Sequence, residues 1–169
     1  MADRVLELIK AEEKRQAETL MMIPSENYTY PEVRAAVGSV LMHKYAEGLP
    51  SKRYYQGNEF ADQIESLCIN RALVAFNLDP SAWMVNVQPH SGSEANLAAI
   101  SALVEPGEKI LSMYLPDGGH LSHGWQLPGK KVSLTSKIWD VSYYRVDETS
   151  RVFNYVNIEK LPELLEGRF

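Results

Sequence analysis

Asn86-Val87-Gln88-Pro89-His90-Ser91-Gly92-Ser93-Glu94-Ala95-Asn96 decides how the rest of the chain reads. On its N-terminal side Trp83, Val85 and Val87 alternate with Met84 and Asn86 after an Asp79-Pro80 turn, which predicts a short strand. On its C-terminal side Leu97, Ala98, Ser101 and Leu103 begin a small-residue helical pattern that runs to the Pro106-Gly107 break. A strand, a small polar turn and a helix start are the ingredients of an anion site. The first N–H groups of a helix are unpaired and carry partial positive charge, which favours a phosphate. Ser91 and Ser93 add hydroxyl donors, and Gly92 lets the backbone approach closely. The same residues also fit a capping box, Ser91-x-x-Glu94, in which the serine bonds the third helical N–H and the glutamate reaches back. A carboxylate beside a phosphate is electrostatically unfavourable, so spacing alone leaves both readings open.

Upstream, Arg4 to Thr19 reads as an amphipathic helix with Val5, Leu8 and Ile9 on one side, suited either to embracing a partner subunit or to closing its own domain. Thr29, Pro31 and Glu32 form a helix start, followed by the apolar stripe Val33, Ala36, Val37, Val40 and Leu41. Gly48 and Gly57 bracket a polar, aromatic loop containing Lys52, Arg53, Tyr54 and Tyr55, with Tyr45 and Glu47 just before it. Loops collect such residues, yet this density of tyrosine and charge exceeds what a connector needs. Asp62 to Phe76 is the next helix, with Ile64, Leu67, Cys68, Ala72, Ala75 and Phe76 at helical spacing.

Downstream, Lys109 to Tyr114 reads as a strand entered from the Pro106-Gly107 turn. Helix, strand, helix, strand predicts parallel pairing with right-handed crossovers. The loop Leu115-Pro116-Asp117-Gly118-Gly119 lies at the C-terminal edge of that strand, where open α/β sheets bind ligands. His120 and His123 follow; without a Cys or carboxylate cluster to complete a coordination set, their spacing is not read as a metal site. Lys131 to Leu134 and Trp139 to Arg145 read as two further strands, and a final helix capped near Asn157 runs through Leu161, Leu164 and Leu165. Gly167 suits the end of that helix, so a further strand is expected next. The sheet is therefore expected to be incomplete, with an edge that something must cover.

The 169 residues, 45% hydrophobic and 23% charged, suffice for a single-domain core. A net charge of −5 gives no reason to expect nucleic acid or an acidic membrane as partner. Cys68 is the sole cysteine and reads as a small buried hydrophobe. With no long apolar run and no signal-like start, a reducing, cytoplasmic setting is expected.

Four stretches, in order, carry a resemblance to one family: Ile23-Pro24-Ser25-Glu26-Asn27; Lys44-Tyr45-Ala46-Glu47-Gly48 with Lys52-Arg53-Tyr54-Tyr55; Asn86 to Asn96; and Leu115-Pro116-Asp117-Gly118-Gly119-His120-Leu121-Ser122-His123-Gly124. The chain resembles serine hydroxymethyltransferases, pyridoxal-phosphate enzymes that interconvert serine and glycine while passing a one-carbon unit to and from tetrahydrofolate. The resemblance implies an α/β fold of the aspartate-aminotransferase type (fold type I), with a large, mainly parallel cofactor-binding domain that is incomplete here. Residues 1–169 are expected to be the N-terminal segment and the first part of that domain, with the family's C-terminal part absent. It further implies a homodimer or tetramer with shared active sites, or a complementary C-terminal chain, and serine, glycine and folate as small-molecule partners.

Residue by residue, the resemblance implies that Ser91, Gly92 and Ser93 hold the cofactor phosphate. His120 stacks on the pyridine ring, and Tyr45 reaches the phosphate of a neighbouring subunit's cofactor. Glu47 matches the glutamate credited with proton transfer at the substrate hydroxyl and with folate contact, chemistry that calls for partial burial. Tyr55 matches a tyrosine implicated in exchanging the cofactor between lysine and substrate, with Tyr54 beside it on the folate side. Ser25 matches a serine near the substrate carboxylate; Leu115, Gly119 and Leu121 match positions lining the folate pocket. Glu94 departs from the family, where uncharged residues are common. The Thr-His-Lys motif of the cofactor-attaching lysine is not present; His43-Lys44 echoes only its end. That lysine, the aspartate for the pyridine nitrogen and the arginine for the substrate carboxylate are expected beyond Phe169, so the 169 residues alone are not expected to turn over serine. The competing readings are a non-catalytic protein derived from this family and a threonine-type aldolase of the same fold.

Overall fold

The computed structural model describes residues 3–152, in two compact units, Met1–Trp83 and Met84–Phe169, each taken by itself below. The expected helix through Leu161, Leu164 and Leu165 lies outside the described residues.

In the first unit α1 spans Arg4–Glu18, with the Asp3 side chain accepting from the Val5 amide at its N-terminus. Its apolar residues Val5, Leu8 and Ile9 remain exposed. α2 spans Pro31–Val37. The apolar stripe predicted to continue to Leu41 breaks at Gly38, and Val40–His43 forms a separate 3-10 turn capped by Ser39. The loop between Gly48 and Gly57 contains a small antiparallel hairpin, β1 (Gly48–Leu49) and β2 (Lys52–Arg53). α3 spans Glu59–Ala75, starting three residues before the sequence expectation. Cys68 on it is exposed rather than buried. The hairpin covers only the Asp62 and Glu65 side of α3, so Ile64, Leu67 and Phe76 keep their exposure as well. Only Leu73 of this helix is buried.

The stretch 83–89, where the first unit gives way to the second, forms no strand. The alternation is present, but a strand needs a partner for its backbone groups, and no other described segment lies in register with it. α4 spans Gly92–Leu103. β3 (Lys109–Met113) pairs in parallel with β6 (Asp140–Tyr144), from Lys109 opposite Asp140 to Met113 opposite Tyr144. The parallel pair expected from the element order, 83–87 beside 109–114, is not formed; β3 pairs in parallel with β6 instead. Between them β4 (Gln126–Leu127) and β5 (Lys130–Lys131) make a hairpin around Pro128-Gly129. The strand expected over Lys131–Leu134 gives way to α5, Leu134–Ile138, because the Ser133 hydroxyl accepts from the Ser136 amide at 3.1 Å and turns the chain into a helix.

The core of this unit is Trp139 and Val141, 2% and 5% exposed. The Trp139 indole donates to the Val104 carbonyl at 3.1 Å, tying the end of α5 to the end of α4. Tyr143 donates to the Gly124 carbonyl at 2.8 Å and accepts from the Gln126 amide at 3.1 Å, fixing the hairpin to β6. Gly124 itself has φ +104°, and a Cβ there would lie 2.8 Å from the Val141 Cγ1. Gly124→Ala is therefore expected to cost about 3 kcal/mol, combining left-handed strain with overpacking. Chemical denaturation checks this, and an unchanged midpoint would contradict it.

Where the chain leaves β3, Asp117 accepts from the Arg145 guanidinium at 2.6 and 3.3 Å and from the Val146 amide at 3.0 Å. Arg145 also lies 4.1 Å over the Tyr114 ring. The guanidinium, then the amide, hold the Asp117 carboxyl below the usual carboxylate range. A carboxyl depressed by folding contributes stability above its unfolded value of about 3.9 and loses it as pH falls through the folded value. Arg145→Gln is expected to lower the melting temperature at about pH 7, and the difference is expected to shrink as pH falls through the folded value and Asp117 is protonated. A gap of unchanged size in acid would contradict this origin.

Candidate functional site

The residues singled out by sequence fall into two groups, one in each unit. In the first unit the 44–58 segment is built around Arg53, whose side chain is 4% exposed. Its guanidinium donates to Asp62 Oδ1 at 2.8 Å and to Glu65 Oε2 at 2.6 Å, both on α3, and to the Ala46 and Gly48 carbonyls at 2.8 and 2.7 Å. One buried cation thus holds both arms of the hairpin to the helix, and Arg suits this because its planar fork serves several acceptors at once. Asn58, 4% exposed, donates to the Tyr55 carbonyl at 2.9 Å and closes the segment. Lys44 donates to the Gln56 carbonyl at 3.0 Å.

On this frame Tyr45, Glu47 and Tyr55 come together. The Tyr45 hydroxyl donates to Glu47 Oε2 at 3.2 Å, and the Tyr45 and Tyr55 rings meet edge to face at 4.9 Å. The bond to Glu47 raises the Tyr45 phenol, because the carboxylate favours its protonated form. The expected partial burial of Glu47 is not found: Glu47 is exposed, and among the described residues its side chain is bonded by the Tyr45 hydroxyl. Tyr54 joins the group through its backbone, its amide donating to the Glu47 carbonyl at 3.2 Å, while its side chain stays exposed. Ser25 sits in the turn closed by the Glu26 amide on the Ile23 carbonyl, and no hydrogen bond among the described residues ties it to Glu47 or the tyrosines.

In the second unit Ser91 caps α4, its hydroxyl oxygen accepting from the Glu94 amide at 3.2 Å. The Glu94 carboxylate accepts from the His90 amide at 3.1 Å. The capping box is therefore real, with its return arm one residue further back than the usual N-cap amide. The two readings of the turn are compatible. Capping uses the third helical amide, while the amides of Gly92 and Ser93 donate to no acceptor among the described residues. The Glu94 carboxylate is engaged with the His90 amide. A Cβ on Gly92 would meet nothing within 4 Å. Two free amides, the serine hydroxyls and the helix dipole form a donor set that fits a phosphate dianion.

His120 follows the Leu115–Asp117 3-10 turn and opens a second one, Leu121–His123. Its Nδ1 lies 2.7 Å from the Ser122 hydroxyl oxygen, and the same hydroxyl accepts from the Asn96 side-chain amide of α4 at 2.8 Å. Thr135, 3% exposed, donates to the Ser122 carbonyl at 2.7 Å and anchors this turn from α5. Between them lies a groove of about 360 Å³ lined by Ser93, Glu94, Leu97, Leu121, Ser122 and Thr135 among others. The structure thus brings Ser93, Leu121 and the turn that carries His120 to one place. Leu115 is half-buried. Gly119 is a backbone requirement: its amide donates to the Tyr114 carbonyl at 3.1 Å, and a Cβ there would overlap the Met113 carbonyl oxygen. Asn96, Ser122 and Arg53 were given no role from sequence. The signal for Asn96 is a polar residue one turn beyond Ser93, on a helix otherwise made of small and apolar residues.

Fold and site define an α/β unit in which the capped N-terminus of α4 and the turn that carries His120 meet at one groove. The family model described as serine hydroxymethyltransferase matches residues 1–168. The chain is 49% identical over 161 residues to serine hydroxymethyltransferase 3, chloroplastic, of Arabidopsis thaliana, covering 95% of this chain and 30% of that protein. It is 49% identical over 156 residues to serine hydroxymethyltransferase of Caenorhabditis elegans, 92% of this chain and 31% of the relative. It is 47% identical over 164 residues to the probable cytosolic serine hydroxymethyltransferase of Schizosaccharomyces pombe, 97% and 35%. The chain belongs to the serine hydroxymethyltransferase family. It spans about a third of the length of these curated relatives. Their names carry chloroplastic as well as cytosolic locations, and no helix among the described residues is long and apolar enough to cross a membrane.

Proposed function

We propose that these residues serve a serine hydroxymethyltransferase reaction, serine and glycine being interconverted with tetrahydrofolate and 5,10-methylenetetrahydrofolate on bound pyridoxal phosphate. The observation that carries this is the pair of amides at Gly92 and Ser93, without an acceptor among the described residues, in a chain of this family. Ser91, Gly92 and Ser93 would hold the cofactor phosphate, and His120 would lie against its ring. When bound, pyridoxal phosphate supplies an electron sink for the substrate's α-carbon.

The chain's own part is binding, orientation and one proton. Glu47 takes or gives the proton at the serine hydroxyl, and the Tyr45 hydroxyl, which here donates to its Oε2, releases that oxygen when it turns to a neighbour's cofactor phosphate. Tyr55 stacks edge-on against Tyr45 and keeps that pair in register. Tyr54, through its exposed ring, and Leu115, Gly119 and Leu121 face the folate; Ser25 serves the substrate carboxylate. The fold is the large domain of fold type I enzymes, in part, and the protein works in the cytoplasm as a homodimer or tetramer in which Tyr45 reaches a neighbour's cofactor phosphate.

The Thr-His-Lys motif is not among these residues, so a lysine supplied outside them is needed for turnover. The test is to add pyridoxal phosphate to the 169-residue chain and record binding and absorbance. Saturable binding without a glycine-responsive absorbance band supports the proposal. A stoichiometric band that responds to glycine would overturn the assignment of the missing lysine, and no binding would overturn the cofactor site.

A further inference from the structure

The imidazole of His120 is held by a chain of hydrogen bonds whose direction can be read. The Ser122 backbone amide lies 3.2 Å from His120 Nδ1, and a backbone N–H can only donate. Nδ1 is therefore an acceptor, and the ring hydrogen sits on Nε2. The Ser122 hydroxyl oxygen is 2.7 Å from the same nitrogen, so it must give its hydrogen to Nδ1. That leaves the hydroxyl oxygen to accept, which it does from the Asn96 amide at 2.8 Å. The chain thus runs from Asn96 to Ser122 to His120, with the hydroxyl and the longer amide contact sharing the one lone pair of Nδ1.

Asn96 lies on α4 three residues after Ser93, hence on the same face one turn on. The helix whose first amides face the open turn therefore also sets the tautomer and the plane of the imidazole. We propose that Asn96 and Ser122 are positioning residues that lock His120 as the Nε2–H tautomer, in fixed register with the N-terminus of α4. The functional consequence rests on the reading of His120 as the cofactor's ring partner. A ring locked in this way meets the pyridine face without first losing rotational freedom, and presents Nε2–H outward as a donor.

The test is a long-range proton–nitrogen correlation spectrum of the imidazole nitrogens in the full chain without cofactor, with His120→Gln assigning the signals. The wild-type ring is expected to show the Nε2–H tautomer with a hydrogen-bonded Nδ1. Ser122→Ala, which leaves the backbone amide as the donor to Nδ1, should move the Nδ1 signal part of the way toward that of an unbonded acceptor, and Asn96→Ala should move it less in the same direction, whereas Ser122→Thr, which keeps the hydroxyl, should leave it in place. In a parallel titration the two alanine variants should weaken pyridoxal phosphate binding roughly tenfold, the scale of one hydrogen bond, and Ser122→Thr should restore it. An Nδ1–H tautomer in the wild type, or nitrogen signals unmoved by Ser122→Ala, would overturn the proposal. Should Asn96→Ala disturb α4, the half-buried Ser122 carries the same readout. If the wild type binds no pyridoxal phosphate, the cofactor reading fails, and the nitrogen signals still decide the positioning claim.

Discussion

A Gly92→Asp variant is expected to fold at least as stably as the parent chain and to lose at least about 30-fold in affinity for pyridoxal phosphate. The two effects separate because they have different origins. A Cβ at Gly92 meets nothing within 4 Å, and its φ is not left-handed, so the side chain enters without strain. A carboxylate in the first turn of α4 is favoured by the helix dipole, worth about 0.5 kcal/mol. The same carboxylate beside a dianion, even screened as in water at about 4 Å, costs about 2 kcal/mol, which is the 30-fold. Glu94, its carboxylate bonded to the His90 amide, is common to parent and variant, so the difference in affinity reports the added charge alone. Melting and cofactor titration measured on one preparation check both halves. Equal affinity in the variant would mean that the phosphate does not sit at this turn.

Glu47→Gln is expected to lower serine cleavage in the assembled holoenzyme by roughly 10³-fold while leaving cofactor affinity unchanged. The substitution keeps the shape and an acceptor for the Tyr45 hydroxyl at 3.2 Å, so the loop built on Arg53 stands. What it removes is the ability to exchange a proton. Steady-state kinetics with serine and tetrahydrofolate, beside a pyridoxal phosphate titration, measure the two quantities. Turnover close to wild type would take Glu47 out of the catalytic group.

Much of this was legible in the sequence where the signal is local. The capping serine and the glutamate three residues on placed the start of α4 correctly, and β3 and β6 came from short apolar runs bounded by turns. Readings that needed a partner did not survive. Trp83, Val85 and Val87 alternate as a strand should, but no described segment pairs with them. Cys68 has the spacing of a core position, yet α3 is covered on one side only. Glu47 is exposed as well. At Leu134 a local signal was overlooked, since Ser133 is a helix cap and outweighs the β-propensity of Val132. At the candidate site the motifs named His120 and Ser93. They could not reveal that Asn96 joins their two segments, because that contact spans 26 residues of sequence.

The account depends on the bare amides of Gly92 and Ser93 receiving the cofactor's phosphate. Proton–nitrogen correlation spectra of the labelled chain, recorded as pyridoxal phosphate is added, test it most directly. The expected result is saturable movement of the Gly92 and Ser93 amide signals, matched by pyridoxine phosphate and not by pyridoxine, which lacks the phosphate. Binding that leaves those two signals in place would contradict it.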